Sequence, residues 1–162
     1  CRRVRLMLAE IENKVKIAKK MLESINYFVG ELSAKEFFDY MSGETFSGDT
    51  ITLKEVLGND YLLIHEVVEV NELKKMGRTI DTRVIVDSPK SIIYAAHFRA
   101  LEKELEYALR MKDYAWVKSR IRLQKIVLEN DPHLPEEMKP KAKAILEKFI
   151  RAVRDENHLW IQ

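Results

Sequence analysis

Apolar residues recur at steps of three and four through Val4, Leu8, Ile11, Val15, Ala18, Leu22, Ile25 and Val29. That period puts them on one face of a long first helix, which Gly30 is expected to close. Lys14, Lys16, Lys19 and Lys20 solvate its other face. Ser33 with Glu36 three residues later is a capping-box signature, opening a short helix through AKEFFDYM that Gly43 ends. A second long helix starts near Asn59 or Asp60 and stops at Gly77. A third begins at Ser88, with Pro89 in the first helical position, and runs to about Met111. Asp113 caps a fourth, YAWVKSRIRLQKIVLEN. After the break at DPHLP, a last helix runs from Pro135 to roughly Asn157, with Pro140 placed to kink its first turn.

The helical period fails in GETFSGDTITL, where Ser-Gly-Asp is a turn signal and Thr50, Ile51 and Thr52 favour extended backbone. TRVIV at 82–86 is a second extended candidate. These two pieces either pair as a minor two-stranded sheet or stay as ordered loops. The expected fold is all-α, a single domain over 1–162 built as a bundle of about five to six helices with a short non-helical insertion.

The stretch YLLIHEVVEVNELKKMG, residues 61–77, departs from the usual amphipathic pattern. Tyr61, Leu62, Leu63, Ile64, Val67, Val68, Val70 and Leu73 go nearly all the way round the cylinder, which marks a central, buried helix. Yet it carries His65, Glu66, Glu69 and Glu72. His65, Glu69 and Glu72 fall within about 60° of one another at spacings of four and three, hence on one face. A buried carboxylate without a partner is costly, so these groups must reach water, a cation or a hydrogen-bond donor.

The following helix repeats the anomaly. Ile93, Tyr94, Ala100, Leu101, Leu105, Ala108 and Met111 form its apolar stripe, and His97 and Glu104 lie inside that stripe. The connection over 78–88 is short, so the two helices are expected to be antiparallel neighbours. At a rise of about 1.5 Å per residue, Glu69 lies roughly 10 Å and His65 roughly 16 Å from the end of their helix. His97 lies roughly 12 Å into its own, between those levels. His65, Glu69 and His97 are therefore expected to converge across one groove. Two imidazoles and a carboxylate are a suitable donor set for Zn²⁺, Fe²⁺ or Mn²⁺. Glu66, Glu72 or Glu104 then serves as fourth ligand, supporting partner or general base, and Glu66 is the choice for a base in a hydrolase.

His65-Glu66-Val-Val-Glu69 is one residue short of the HExxH zincin motif, because Glu stands at the second His position. Glu66-Val-Val-Glu69 resembles the first acidic segment of all-α nucleotide pyrophosphohydrolases of the MazG type, but the next helix has no inward ExxD. The resemblance covers four residues, and no function follows from it. Two other readings compete with a metal site. His65 can donate to Glu69 while His97 pairs with Glu72 or Glu104, giving a polar network that fixes helix register. Alternatively the acids face solvent or a subunit interface, in a non-catalytic helical protein that self-associates or docks a partner.

On the fourth helix Arg120 and Gln124 point to the apolar half, and an ion pair of Arg120 with Glu104 or Glu72 is expected ahead of phosphate binding. Asp155-Glu-Asn-His158 has metal-ligand spacing at a helix end, where His also collects for dipole reasons. Trp116 and Trp160 read as packing residues, and His133 falls in a loop.

Composition narrows the class. Hydrophobic residues make up 46% and charged residues 33% of the 162, which describes a globular chain rather than a disordered one. A formal net charge of +2 gives no electrostatic case for nucleic acid, and Arg2, Arg3 and Arg5 lack an aromatic stacking platform. No apolar run reaches the roughly 18 to 20 residues of a membrane span. A single cysteine, Cys1, precludes an intrachain disulfide and fits a reducing cytoplasm. Lys, Arg and Glu are abundant and there are two glutamines, a bias of heat-tolerant proteins. The chain has no Gly-rich phosphate loop, nucleophile elbow or CxxC pair. The expectation is a cytoplasmic helical protein that binds a divalent metal and forms a homo-oligomer.

Overall fold

The structure, a computed structural model, describes residues 1–47 and 51–156. Eight α-helices and a short 3-10 turn account for its regular elements, and the described residues contain no strand. They are α1 (Arg2–Glu23), α2 (Ala34–Ser42), α3 (Leu53–Leu57), α4 (Asp60–Lys75), α5 (Val84–Asp87), α6 (Lys90–Arg110), α7 (Tyr114–Asn130) and α8 (Lys139–Glu156), with the 3-10 turn at Glu136–Met138 before α8. The all-α expectation is met. The proposed minor sheet is not: Val84–Asp87 closes one helical turn, stabilised by the Arg83 guanidinium on Asp87. Thr52 and Glu55 form a full capping box that turns the following residues helical as α3. Local capping has overridden the β-propensity of Thr, Ile and Val. The Ser47-Gly48-Asp49 turn and Thr50 lie partly or wholly outside the described residues, as do His158 and Trp160.

Helix ends follow the side chains that satisfy their orphan amides. Ser33 and Glu36 make the capping box of α2, Asn59 accepts from the Tyr61 and Leu62 amides, and Asp113 accepts from that of Trp116. Helix α1 stops short of Gly30. Asn26 takes φ 61°, and the Tyr27 and Asn26 amides donate back to the Leu22 and Glu23 carbonyls. This is a Schellman ending made by Asn rather than Gly, and it puts Tyr27, Val29 and Leu32 in a loop folded back on the core. Gly77, at φ 84°, ends α4 in the same way, and Lys112, at φ 58°, ends α6. A β-carbon in that region is strained by roughly 1 kcal/mol. Lys112→Gly is accordingly expected to raise stability by up to about 1 kcal/mol, seen as a higher denaturation midpoint at unchanged slope.

Two apolar clusters share α6. The first joins Ile11, Val15, Ala18 and Leu22 of α1 to Phe37, Val56 and the buried residues of α4, and takes Ala96 and Ala100 from α6. The second joins Phe98, Leu101 and Leu105 of α6 to Val117 and Ile121 of α7 and Ile145, Leu146, Phe149 and Val153 of α8. Val4 and Leu6, in the first turns of α1, extend past the first cluster and are exposed. On α4, Leu63, Ile64, Val67, Val68, Val70 and Leu73 are each at most 1% exposed. Those six positions of the encircling apolar pattern are thus buried within the chain itself. Gly43 is required where it stands, since a β-carbon there would come within 2.5 Å of the Thr82 carbonyl oxygen. Among the described residues no helix is long and apolar enough to cross a membrane.

Pairs across α4 and α6 run in opposite senses. Tyr61 meets Tyr107, His65 meets Glu104, and Glu69 meets His97. The two helices are antiparallel, as the short connection predicts.

Candidate metal centre

Of the polar residues on α4, His65 and Glu69 face the groove against α6. There His65 Nε2, Glu69 Oε2 and His97 Nδ1 come together, with separations of 2.8 Å (His65 to Glu69), 3.1 Å (His97 to Glu69) and 3.3 Å (His65 to His97). Adjacent donors around an ion with bonds of about 2.0–2.1 Å lie roughly 2.8–3.4 Å apart in octahedral or tetrahedral geometry. The three atoms therefore stand close to the spacing of donors on one ion. They form a group that could hold a metal ion.

What orients the rings matters as much as the spacing. Glu104 is fully buried, and its carboxylate accepts from Arg120 Nε at 2.7 Å, Arg120 Nη2 at 2.9 Å and Trp116 Nε1 at 2.7 Å. Its Oε1 also lies 2.8 Å from His65 Nδ1. An ionised carboxylate has no proton to give, so His65 Nδ1 is the donor and Nε2 is the atom turned toward Glu69. Gln124 Oε1 sits 3.4 Å from His97 Nε2, a longer contact that does not fix the tautomer of the second ring. Both imidazoles thus turn a ring nitrogen toward one carboxylate oxygen. The other oxygen, Glu69 Oε1, accepts from the Tyr40 hydroxyl of α2.

A buried carboxylate beside two ring nitrogens needs a proton or a cation among them. In the metal-free protein a proton on His65 Nε2 meets that need. Burial opposes the charged imidazolium, but the charge of Glu69 and the hydrogen bonds to Glu104 and Glu69 prevail and push His65 up to about 10. Burial alone would raise Glu69, yet His65 and His97 hold it well below the usual carboxylate range. His65 and Arg120 likewise hold Glu104 down against its burial.

Compared with known proteins, the chain matches no family model, no curated protein and no solved structure. Its site has to be judged by its own chemistry. The side chains of His65 and Glu69 keep 5% and 13% of their exposure, while His97 keeps 27%. The groove therefore opens on the His97 side.

The sequence pointed to His65, Glu69 and His97, and the fold brings these three together. Arg120 pairs with Glu104 as expected. Glu104 is not among the three converging donors, and its oxygens are engaged by Arg120, Trp116 and His65. Glu72 turns to a different neighbourhood, accepting from the Tyr27 hydroxyl at 2.6 Å and Lys75 at 3.1 Å, so it pairs with neither His97 nor Arg120. Glu66 is half-buried and is not one of the three converging donors. Tyr40 and Trp116 were missed as polar participants. Each sits among apolar helical positions, where a phenol or indole N–H needs a partner, and that was the available signal.

Proposed function

We propose that this protein binds a divalent transition metal through His65 Nε2, Glu69 Oε2 and His97 Nδ1. The observation that carries the reading is that Glu104 holds His65 Nδ1 so that Nε2 faces Glu69 Oε2, where His97 Nδ1 also converges. Carboxylate partners on the far ring nitrogen are the usual support for metal-ligating histidines. Zn²⁺, Fe²⁺ and Mn²⁺ all accept such a set, and three protein donors leave coordination positions for water or substrate. Tyr40 engages Oε1 of Glu69, which favours attachment through Oε2 alone.

A metal with open positions in a groove closed on the His65 side supports hydrolysis by an activated water. Glu66, next to His65 on α4, is the carboxylate we assign as the base that accepts the proton of that water. The test is the metal content of protein purified without chelator. About one equivalent per chain is expected, falling to background in His65→Ala. Background content in the parent protein after incubation with each of the three ions would refute the assignment. Glu66→Gln should leave metal content intact and remove any hydrolytic turnover; loss of metal in that variant would reassign Glu66 as a ligand.

A further inference from the structure

We propose that the concavity between the first turn of α4 and the last turn of α6 binds a small organic cation bearing an ammonium group. It has a volume of about 300 Å³ and is lined by Gly58, Asn59, Asp60, Tyr61, Tyr107 and Met111. That volume lies at the low end for small-molecule sites, which suits a compact headgroup.

The lining selects charge and sign. The Tyr61 and Tyr107 rings have centroids 6.2 Å apart and are inclined at 58°, forming two walls of a V. Their faces carry the negative part of the ring quadrupole, which attracts an ammonium within about 6 Å. Tyr61 is a fixed wall: its hydroxyl donates to Asp113 at 2.8 Å and its ring lies 4.9 Å from that of Trp116. Asp60 is exposed and has no hydrogen-bond or ion-pair partner among the described residues. The amides of Tyr61 and Leu62 at the positive end of α4 are already taken by the Asn59 side chain. Tyr107 and Met111 come from the end of α6, where the helix presents the negative end of its dipole.

The two phenols register this field. Burial and the neighbouring Asp113 push Tyr61 up to about 12. Burial and Asp60 raise Tyr107, with Arg110 as the opposing charge of smaller effect. Both rings thus remain neutral and electron-rich. An anion would meet Asp60 and capped amides, so the site discriminates against it.

Choline is a suitable probe, titrated into the full chain at low salt against sodium chloride as the control, with tryptophan fluorescence and tyrosine ring resonances as readouts. A saturable response is expected, weakened about fivefold or more by Tyr107→Leu and by Asp60→Asn. Asp60 is a surface residue, so the second variant tests the site even where the first disturbs packing. The response should persist in His65→Ala, because the site does not depend on the metal centre. A response no different from that of sodium chloride overturns the proposal. So does saturation that neither variant weakens, or saturation by inorganic phosphate in place of choline.

Discussion

Replacing Glu104 by leucine is expected to cost about 3–5 kcal/mol of stability, the largest effect of any single substitution considered for this chain. The volume is nearly kept, so a cavity is not the cause. The cost comes from Arg120, 9% exposed, whose guanidinium would lose its only carboxylate partner among the described residues. Trp116 Nε1 and His65 Nδ1 would lose their acceptor as well. For a chain of this size the melting temperature should fall by roughly 10 °C or more. The double variant Glu104→Leu with Arg120→Met should recover at least half of that loss, because no unpaired cation is left inside. Thermal denaturation of the pair decides: a double variant as unstable as the single one would show that the ion pair is not the source. If the metal reading holds, both should also bind metal about 10–100-fold more weakly, since nothing then holds the His65 proton on Nδ1.

The second large effect is on pH. In metal-free protein His65 is protonated when folded up to about pH 10, whereas an unfolded histidine loses its proton near 6.5. The folded state therefore binds more protons between these values, and stability falls as pH rises, by at most about 1.4 kcal/mol per pH unit. Its contribution is fully present below about pH 6.5 and gone above about 10. Glu69 and Glu104 act in the opposite sense, since their lowered affinity for protons adds stability above about pH 4.5 that is lost on acidification. Metal-free protein should then be most stable between about pH 4.5 and 6.5, and denaturant midpoints across pH test this. Bound metal would replace the His65 proton, so its apparent affinity should rise about tenfold per pH unit through neutrality, with one proton released per ion. A flat profile for metal-free protein would mean that His65 is neutral in the folded state.

Much of the fold was legible because its signals are local. Ser33 with Glu36, Asn59 and Asp113 each announced a helix start that the backbone honours. Gly77 announced a stop in the same way. The end of α1 was misread because Asn26 takes a left-handed conformation that glycine would have signalled, and the capping box at Thr52 was hidden in residues of high strand propensity. The candidate site was legible for a different reason. A helix apolar on all sides has no neutral place for His65 and Glu69, and one short connection fixed which helix would face them. Tyr40 could not be ranked in the same way, because its arrival at Glu69 depends on how the loop after α1 lays α2 across α4. Glu72 was misplaced for the converse reason. Its helical phase is right for the groove, but its depth along α4 brings it level with Tyr27 instead.

Helix α6 gives its alanines to one cluster and its large side chains to the other, and this bears on how the halves of the molecule communicate. Ala96 and Ala100 allow close approach on one side, while Phe98, Leu101 and Leu105 lock into the other. Neither half is complete without the shared helix, so opening one strips a face from its neighbour. His97 and Glu104 ride on that helix, and His65 and Glu69 on the one opposite. The converging donors therefore lie across the seam between the two halves. A cation held there would act as a rivet, tying the halves into one cooperative unit, and its departure would be felt in both.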